Sequence, residues 1–253
     1  MSEITSPNPY AAPTSDLQEA RGDAQAPSIE QALSRGYDFR IGELLSESWQ
    51  RVEGTKGIII GGFIACFVAL MLCGLVLSQA FSFVLMISHD VTTLMVATML
   101  LSLLITSLAY PFMAGINMVG IRRAADQPVR FSEVFAHLGR SLPLIITAII
   151  MLVLVNLGSM LLVIPGVYLS IAYLLAIPLV VERRLSPWQA LEASRKAISQ
   201  HWFKVFGLFL LLCLINLVAV LPLGIGLIWS VPLFVVAMGV LYRTIFGVLP
   251  VAK

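Results

Sequence analysis

The chain has 253 residues, of which 58% are hydrophobic and only 12% charged, with a net charge of +2. A soluble domain carries about 25% charged residues, so this composition excludes a soluble enzyme or binding domain and indicates an integral membrane protein. The small net charge, with no basic stripe interleaved with aromatics, gives no sign of a nucleic-acid partner.

Residues 1–28, MSEITSPNPYAAPTSDLQEARGDAQAPS, are rich in Pro, Ala and Ser. They lack the apolar periodicity needed to offset ordering entropy and are expected to form a disordered cytoplasmic tail. Residues 29–253 remain as a membrane domain. The first apolar run starts at Gly57, too late for a cleavable signal sequence, so the first span is expected to serve as an uncleaved anchor. Just ahead of it, Ile41, Leu45, Ser48, Trp49 and Val52 share one helical face, with Glu43, Glu47 and Gln50 opposite.

The runs 57–87 and 91–121 are each far longer than one crossing. Each would extend roughly 46 Å, against a hydrocarbon core of about 30 Å. They are expected to tilt or to project as a hairpin closed by Ser88-His89-Asp90, with a kink at Pro111 in the second. Next, Phe131, Phe135, Leu138 and Leu142 line up on a second amphipathic helix, with Ser132 placed to cap it and Glu133, His137 and Arg140 facing away. The runs 142–163 and 165–181 fit single crossings joined by a turn at Ile164-Pro165-Gly166. A third amphipathic helix follows, opened by Ser186 as N-cap and Pro187 at its first position. Trp188, Leu191, Ile198 and Trp202 fall on its apolar stripe, and Glu192 and Lys196 pair off it. Such a helix is expected to lie in the interface plane with its tryptophans at headgroup depth. The last two spans, 203–221 and 223–243, are separated by Leu221-Pro222-Leu223-Gly224.

The expected fold is therefore all-α: six transmembrane helices arranged as three hairpins, each preceded by a cytoplasmic interfacial amphipathic helix. The repeat units are about 39–123, 128–184 and 185–246. A shift of 60 residues places Asn156-Leu157 on Asn216-Leu217, Gly166 on Gly226, Ser170 on Ser230 and Arg183 on Arg243. A shift of 61 places Arg122-Arg123 on Arg183-Arg184. An even number of spans per unit makes the pseudo-repeats parallel. Arg35, Arg40, Arg51, Lys56, Arg122, Arg123, Arg130, Arg140, Arg183, Arg184, Arg195, Lys196, Lys204, Arg243 and Lys253 all fall on one side of that topology. The positive-inside rule makes that side, and both termini, cytoplasmic.

No Asp, Glu, Lys, Arg or His sits mid-span, and no HExxH, GxSxG or phosphate-loop pattern occurs. Cys66, Cys73 and Cys213 lack metal-ligand spacing. No catalytic residue, metal or cofactor is expected. The polar residues that enter the spans are Asn117, Asn156, Asn216 and Gln79. Asn117, Asn156 and Asn216 are the candidate ligand-binding residues, with Asn156 and Asn216 at equivalent repeat positions. Two readings stay open: interhelical hydrogen bonds that set register, or a polar lining for a lipid headgroup or small solute. Trp49, Phe131, Phe135, Trp188 and Trp202 are the candidate interfacial and docking residues. Gly57, Gly61 and Ala65 form a small-residue stripe that suits close packing and leaves a homo-oligomer open.

The run LVIPGVYLSIAYLLAIPLVVERRLSPWQALEASRKAISQHWFKVFGL resembles the membrane domain of bacterial glycerophosphoryl diester phosphodiesterases and related multi-pass bacterial membrane proteins. The matching features are Ile164-Pro165-Gly166, Pro178-Leu179-Val180-Val181, Leu185-Ser186-Pro187-Trp188, Ala190-Leu191 and Ser194. The likeness covers about residues 140–215, and elsewhere only the topology. Asn8-Pro9-Tyr10-Ala11-Ala12-Pro13 also resembles tails of bacterial inner-membrane proteins. The resemblance implies a bacterial inner-membrane location and no catalysis, because the roughly 250-residue barrel that does the chemistry in those fusions has no room here. Two functions follow: a non-enzymatic scaffold or envelope-homeostasis module with a protein partner at its cytoplasmic face, or handling of a lipid or small polar solute through the bundle. The lipid bilayer is the expected partner in both.

Overall fold

The computed structural model describes residues 26–87 and 90–250, and every regular element among them is helical. The expected tail lies outside the described residues as far as residue 25, and so do Ser88 and His89 of the expected hairpin turn.

Two short helices come first: α1 (Ile29–Arg35) and α2 (Ile41–Arg51). The sequence reading passed over α1, although its signal is plain. Ser28 Oγ accepts from the Gln31 N–H at 3.2 Å, and Gln31 Oε1 accepts from the Ser28 N–H at 3.0 Å, a reciprocal capping box. The long helices α3 (Lys56–Ile87) and α4 (Val91–Ala124) follow, α4 opened by Asp90, whose carboxylate accepts from the Thr93 N–H at 2.8 Å. Helix α4 is continuous through Pro111. Beyond the Phe131–Phe135 and Leu138–Arg140 turns come α5 (Ser141–Leu161), α6 (Val163–Ala172), α7 (Ala176–Glu182), α8 (Pro187–Gln200), α9 (Trp202–Val220) and α10 (Leu227–Phe246).

Six segments are long and apolar enough to cross a membrane, the architecture of a multi-pass membrane protein. The fourth runs Val163–Glu182 and comprises α6 and α7. Burial is uneven. It concentrates in the C-terminal half of α4, in α6–α7 and in α10, whereas the apolar side chains of α3 and the N-terminal half of α4 are largely uncovered. Helices α4 and α10 pack with their backbones in contact. A Cβ on Gly120 would stand 2.5 Å from the Val235 carbonyl oxygen, and one on Gly239 would run into the Gly120 carbonyl. Small residues let the two backbones touch, which is how apolar helices associate without a hydrophobic force between them.

The structure departs from the sequence reading in several places. The second amphipathic helix is instead two short 3-10 segments, Phe131–Phe135 and Leu138–Arg140. Val134 is the fully buried anchor there, and the first segment starts without a side-chain cap, so Ser132 does not serve. Glu133 does not face away: its carboxylate meets Arg122 at 2.6 Å. The break before the fourth span falls at Leu162, whose backbone is extended, and Ile164-Pro165-Gly166 form the first turn of α6. Proline early in a helix costs nothing, because its missing N–H would be unpaired there anyway.

A further departure concerns α8. Its covered side is Ala190, Leu191, Ala193, Ser194, Ala197 and Ile198, a stripe of small residues packed against α5, α6 and α7. Trp188 is 62% exposed, and Trp202 begins α9 instead of ending α8. The expected tryptophan stripe is thus divided between two helices, and protein covers most of the apolar face.

The same face explains a fracture in the fourth span. Residues 173–175 leave the helix between α6 and α7, and backbone groups freed at membrane depth need partners. Ser194 supplies them. Its Oγ donates to the Ala172 carbonyl at 2.7 Å and accepts from the Leu175 N–H at 3.2 Å, fully buried. Ser194→Ala leaves both groups unpaired and is expected to destabilise the protein by about 1–2 kcal/mol. Detergent-titrated unfolding of the purified variant, followed by circular dichroism, measures this.

Candidate functional site at the polar base

Arg123, Arg183 and Arg243 recur at 60-residue intervals, each at the C-terminal end of an even-numbered span. Helix ends leave carbonyls unpaired and carry partial negative charge, so a cation there is favoured. Each arginine reaches such an end on a different helix. Arg243 donates to the Ala124 carbonyl that closes α4, and its other amino group meets Glu47 of α2 at 2.6 Å. Arg183 donates to the Phe246 carbonyl that closes α10 and to Pro27 at 3.0 Å. Arg123 donates to the carbonyls of Arg51 and Glu53, both at 2.9 Å, at the end of α2.

Further cations tighten this base. Arg51 also donates to the Ala124 carbonyl and pairs with Glu47 and Asp126, both at 3.1 Å. Arg35 of α1 donates to Ile245 at 3.2 Å. Lys204 of α9 bonds Asp38, and that bond holds the Asp38 carboxyl below its ordinary range. On α8, the hydrogen bond from Arg195 does the same for Glu192. The most enclosed pair is Glu182 and Arg183, with side chains 4% and 9% exposed and 3.4 Å apart. Glu182 also accepts from the Tyr242 hydroxyl and from the Leu249 N–H at 2.7 Å.

A cavity of about 890 Å³ opens beside this network. Its walls come from the end of α4, the start of α5, the end of α7 and residues 248–250. Among the described residues, four arginines line it (Arg122, Arg140, Arg183 and Arg184), with His137 and a single carboxylate, Glu182.

The candidate asparagines are not gathered at one site. Asn216 hydrogen-bonds the Leu212 carbonyl of its own helix at 2.9 Å and accepts from Ser230 of α10 at 2.8 Å. It lines an open apolar groove of about 520 Å³ with Ile60, Phe63, Phe67 and Val231. Asn156 is exposed and donates to its own Leu152 carbonyl at 2.7 Å. Asn117 is half-buried in α4. Neither lines the groove with Asn216. Asn216 therefore bonds between helices, whereas Asn156 bonds within its own.

Among the aromatic candidates, Trp49 and Trp188 are exposed, and Phe131 is partly so. Phe135 packs edge-to-face on Phe131 at 5.5 Å and on Phe112 at 6.3 Å. Trp202 stacks on Phe206 at 5.0 Å and donates from its indole to the Tyr168 carbonyl at 3.3 Å, which makes it a packing residue.

The sequence places the arginines on one side and matches Arg183 to Arg243, but does not show that they close helix ends; the available signal is the same 60-residue interval carried back to Arg123. Comparison with protein-family models, curated proteins and solved structures finds no match.

Proposed function

We propose that the chain is a non-enzymatic module of the bacterial inner membrane, built of three parallel hairpin repeats, whose braced cytoplasmic base docks a protein partner. The observation that carries this is the base itself. Arginines tie α1, α2, α4, α7 and α10 together at one end, across up to 210 residues of sequence. That produces a stiff platform on the lysine- and arginine-bearing side. Trp49 and Trp188 stand out from it uncovered, and exposed tryptophans beside a rigid scaffold suit an interface centre.

The repeat reading draws support from matched close contacts. A Cβ on Gly166 would run into Ser159, and one on Gly226 would stand 2.7 Å from the Ala219 carbonyl. Both members of these pairs are 60 residues apart, so the turns joining α5 to α6 and α9 to α10 are pinched in the same way. Arg123, Arg183 and Arg243 extend the correspondence to all three units.

Purification of the full chain from native membranes after in-cell crosslinking tests the proposal. A protein partner at fixed stoichiometry is expected, and Trp49→Ala with Trp188→Ala should abolish its recovery while leaving the unfolding midpoint unchanged. No stoichiometric protein, or one indifferent to both tryptophans, refutes docking. A second reading, lipid or small-solute handling, rests on the apolar groove at Asn216. It gains if a lipid copurifies and Asn216→Leu removes it.

A further inference from the structure

We infer that the arginine-lined cavity at the polar base binds a phosphate-bearing anion. The network beside it uses most of its cations structurally, but two are left over. Arg122 is held by Glu133 at 2.6 Å and Arg183 by Glu182, so Arg140 and Arg184 line the cavity with no carboxylate partner among the described residues. Both residues are exposed, and each offers a planar guanidinium whose paired N–H groups suit phosphate oxygens, which arginine engages two at a time.

Two other features point the same way. Helix α5 begins at the cavity wall, with Pro143 and Leu144 in the lining, and it starts without a side-chain cap. Its Ser141 N–H is already bonded to the Leu138 carbonyl and Pro143 has none, so it is the positive end of the helix dipole that favours an anion there. Arg184 has φ +52°, in the left-handed region, at the position after α7 where glycine is the usual choice. Any side chain with a Cβ there costs about 1–2 kcal/mol. Such strain is retained where the side chain is needed, and here that side chain is one of the unpaired cations.

Size and wall chemistry narrow the class. About 890 Å³ is within the range of small-molecule sites, about 300–1,000 Å³. Met118, Leu144, Val180 and Val248 add apolar wall to the same cavity as the arginines. The fit is to an amphiphilic phosphate, either the headgroup of an anionic phospholipid or a free phosphate ester. Basic pockets between helix ends hold anionic headgroups in this manner.

The test uses the purified full chain in two settings. In nanodiscs of mixed phosphatidylglycerol and phosphatidylcholine, native mass spectrometry reads which lipid survives delipidation. In nanodiscs of phosphatidylcholine alone, calorimetric titration with glycerol 3-phosphate and with inorganic phosphate reads a free anion. Selective retention of phosphatidylglycerol assigns the lipid source, and saturable binding of either soluble anion assigns the free one. In both cases Arg140→Gln with Arg184→Gly should weaken binding by about ten- to a hundred-fold, the worth of charge-assisted hydrogen bonds. Glycine at position 184 relieves the left-handed backbone, so the variant should remain folded. Gly139→Trp serves as an independent block. A Cβ at Gly139 meets nothing within 4 Å, and the residue lines the cavity, so an indole there is expected to occupy part of that space with every arginine intact. Arg130→Gln, an exposed arginine outside the lining, controls for bulk charge. Binding of neither anion class, loss equal to that in Arg130→Gln, or full binding by Gly139→Trp each overturns the inference.

Discussion

Gly239→Ala is expected to remove about 3 kcal/mol or more of stability, the upper end of what overpacking costs. The added methyl has nowhere to go. It would meet the Gly120 carbonyl and the Ile121 amide of the facing helix, and backbone cannot rotate away as a side chain can. Relief requires α4 and α10 to separate. Both carry long runs of buried residues, among them Ile116, Val119, Val236 and Val240. Separation would also pull Arg243 off the Ala124 carbonyl, so packing and polar base fail together. Gly74→Ala is the control. Its Cβ meets nothing within 4 Å, and replacing a mid-helix glycine there should gain about 0.5–1 kcal/mol. Unfolding by titration with a denaturing detergent should order the proteins Gly74→Ala, wild type, Gly239→Ala by midpoint. A wild-type midpoint for Gly239→Ala would refute the contact.

Glu182→Ala is expected to cost about 3–5 kcal/mol, because it strands a buried guanidinium. Glu182 sits beneath Arg183, the Tyr242 hydroxyl and the Leu249 N–H, and it is almost wholly enclosed. Removing it leaves three donors facing a void. Glu182→Gln keeps an amide oxygen for the Leu249 N–H or the Tyr242 hydroxyl but no charge for Arg183, so it should fall between wild type and Glu182→Ala. Arg183→Met with Glu182→Leu removes both charges together and should recover part of the loss, because no charge is left buried alone, although the Phe246 carbonyl, the Tyr242 hydroxyl and the Leu249 N–H lose their partners. With Glu182→Leu and Arg183→Met as the single variants, the double-mutant cycle measures the coupling. A coupling energy near zero would show that the two side chains act independently.

The spans were legible to within a few residues because long apolar runs carry a strong signal that no local competition overrides. The short polar helices were less so. At α8 the 3.6-residue period was read correctly, but its centre was displaced toward the tryptophans. Leu191 and Ile198 of the expected stripe are buried, and Ala190, Ala193, Ser194 and Ala197 complete it in place of the tryptophans; hydropathy gives small residues little weight although they permit the closest packing. Residues 131–140 carried a helical pattern too, yet Arg122 pulls Glu133 inward and the backbone tightens into 3-10 turns around Val134. The fracture at 173–175 was invisible, since Tyr173, Leu174 and Leu175 continue an unbroken apolar run and the stabilising hydroxyl is 19 positions downstream of Leu175. Of the candidate site, the residue types were visible and their grouping was not. Arg122, Arg140 and Arg184 meet only because separate helix ends converge.

That downstream hydroxyl has a consequence for biogenesis. When residue 182 has just left the ribosome, Ser194 is still inside the exit tunnel, so the amide of Leu175 and the carbonyl of Ala172 have no protein partner from α8. The nascent segment must then cross as an unbroken rod or wait in a hydrated vestibule of the translocon. Its final bent form is a late event, set only when the following amphiphilic stretch folds back beneath it. The order of synthesis and the order of structural maturation therefore run in opposite directions at this point of the chain.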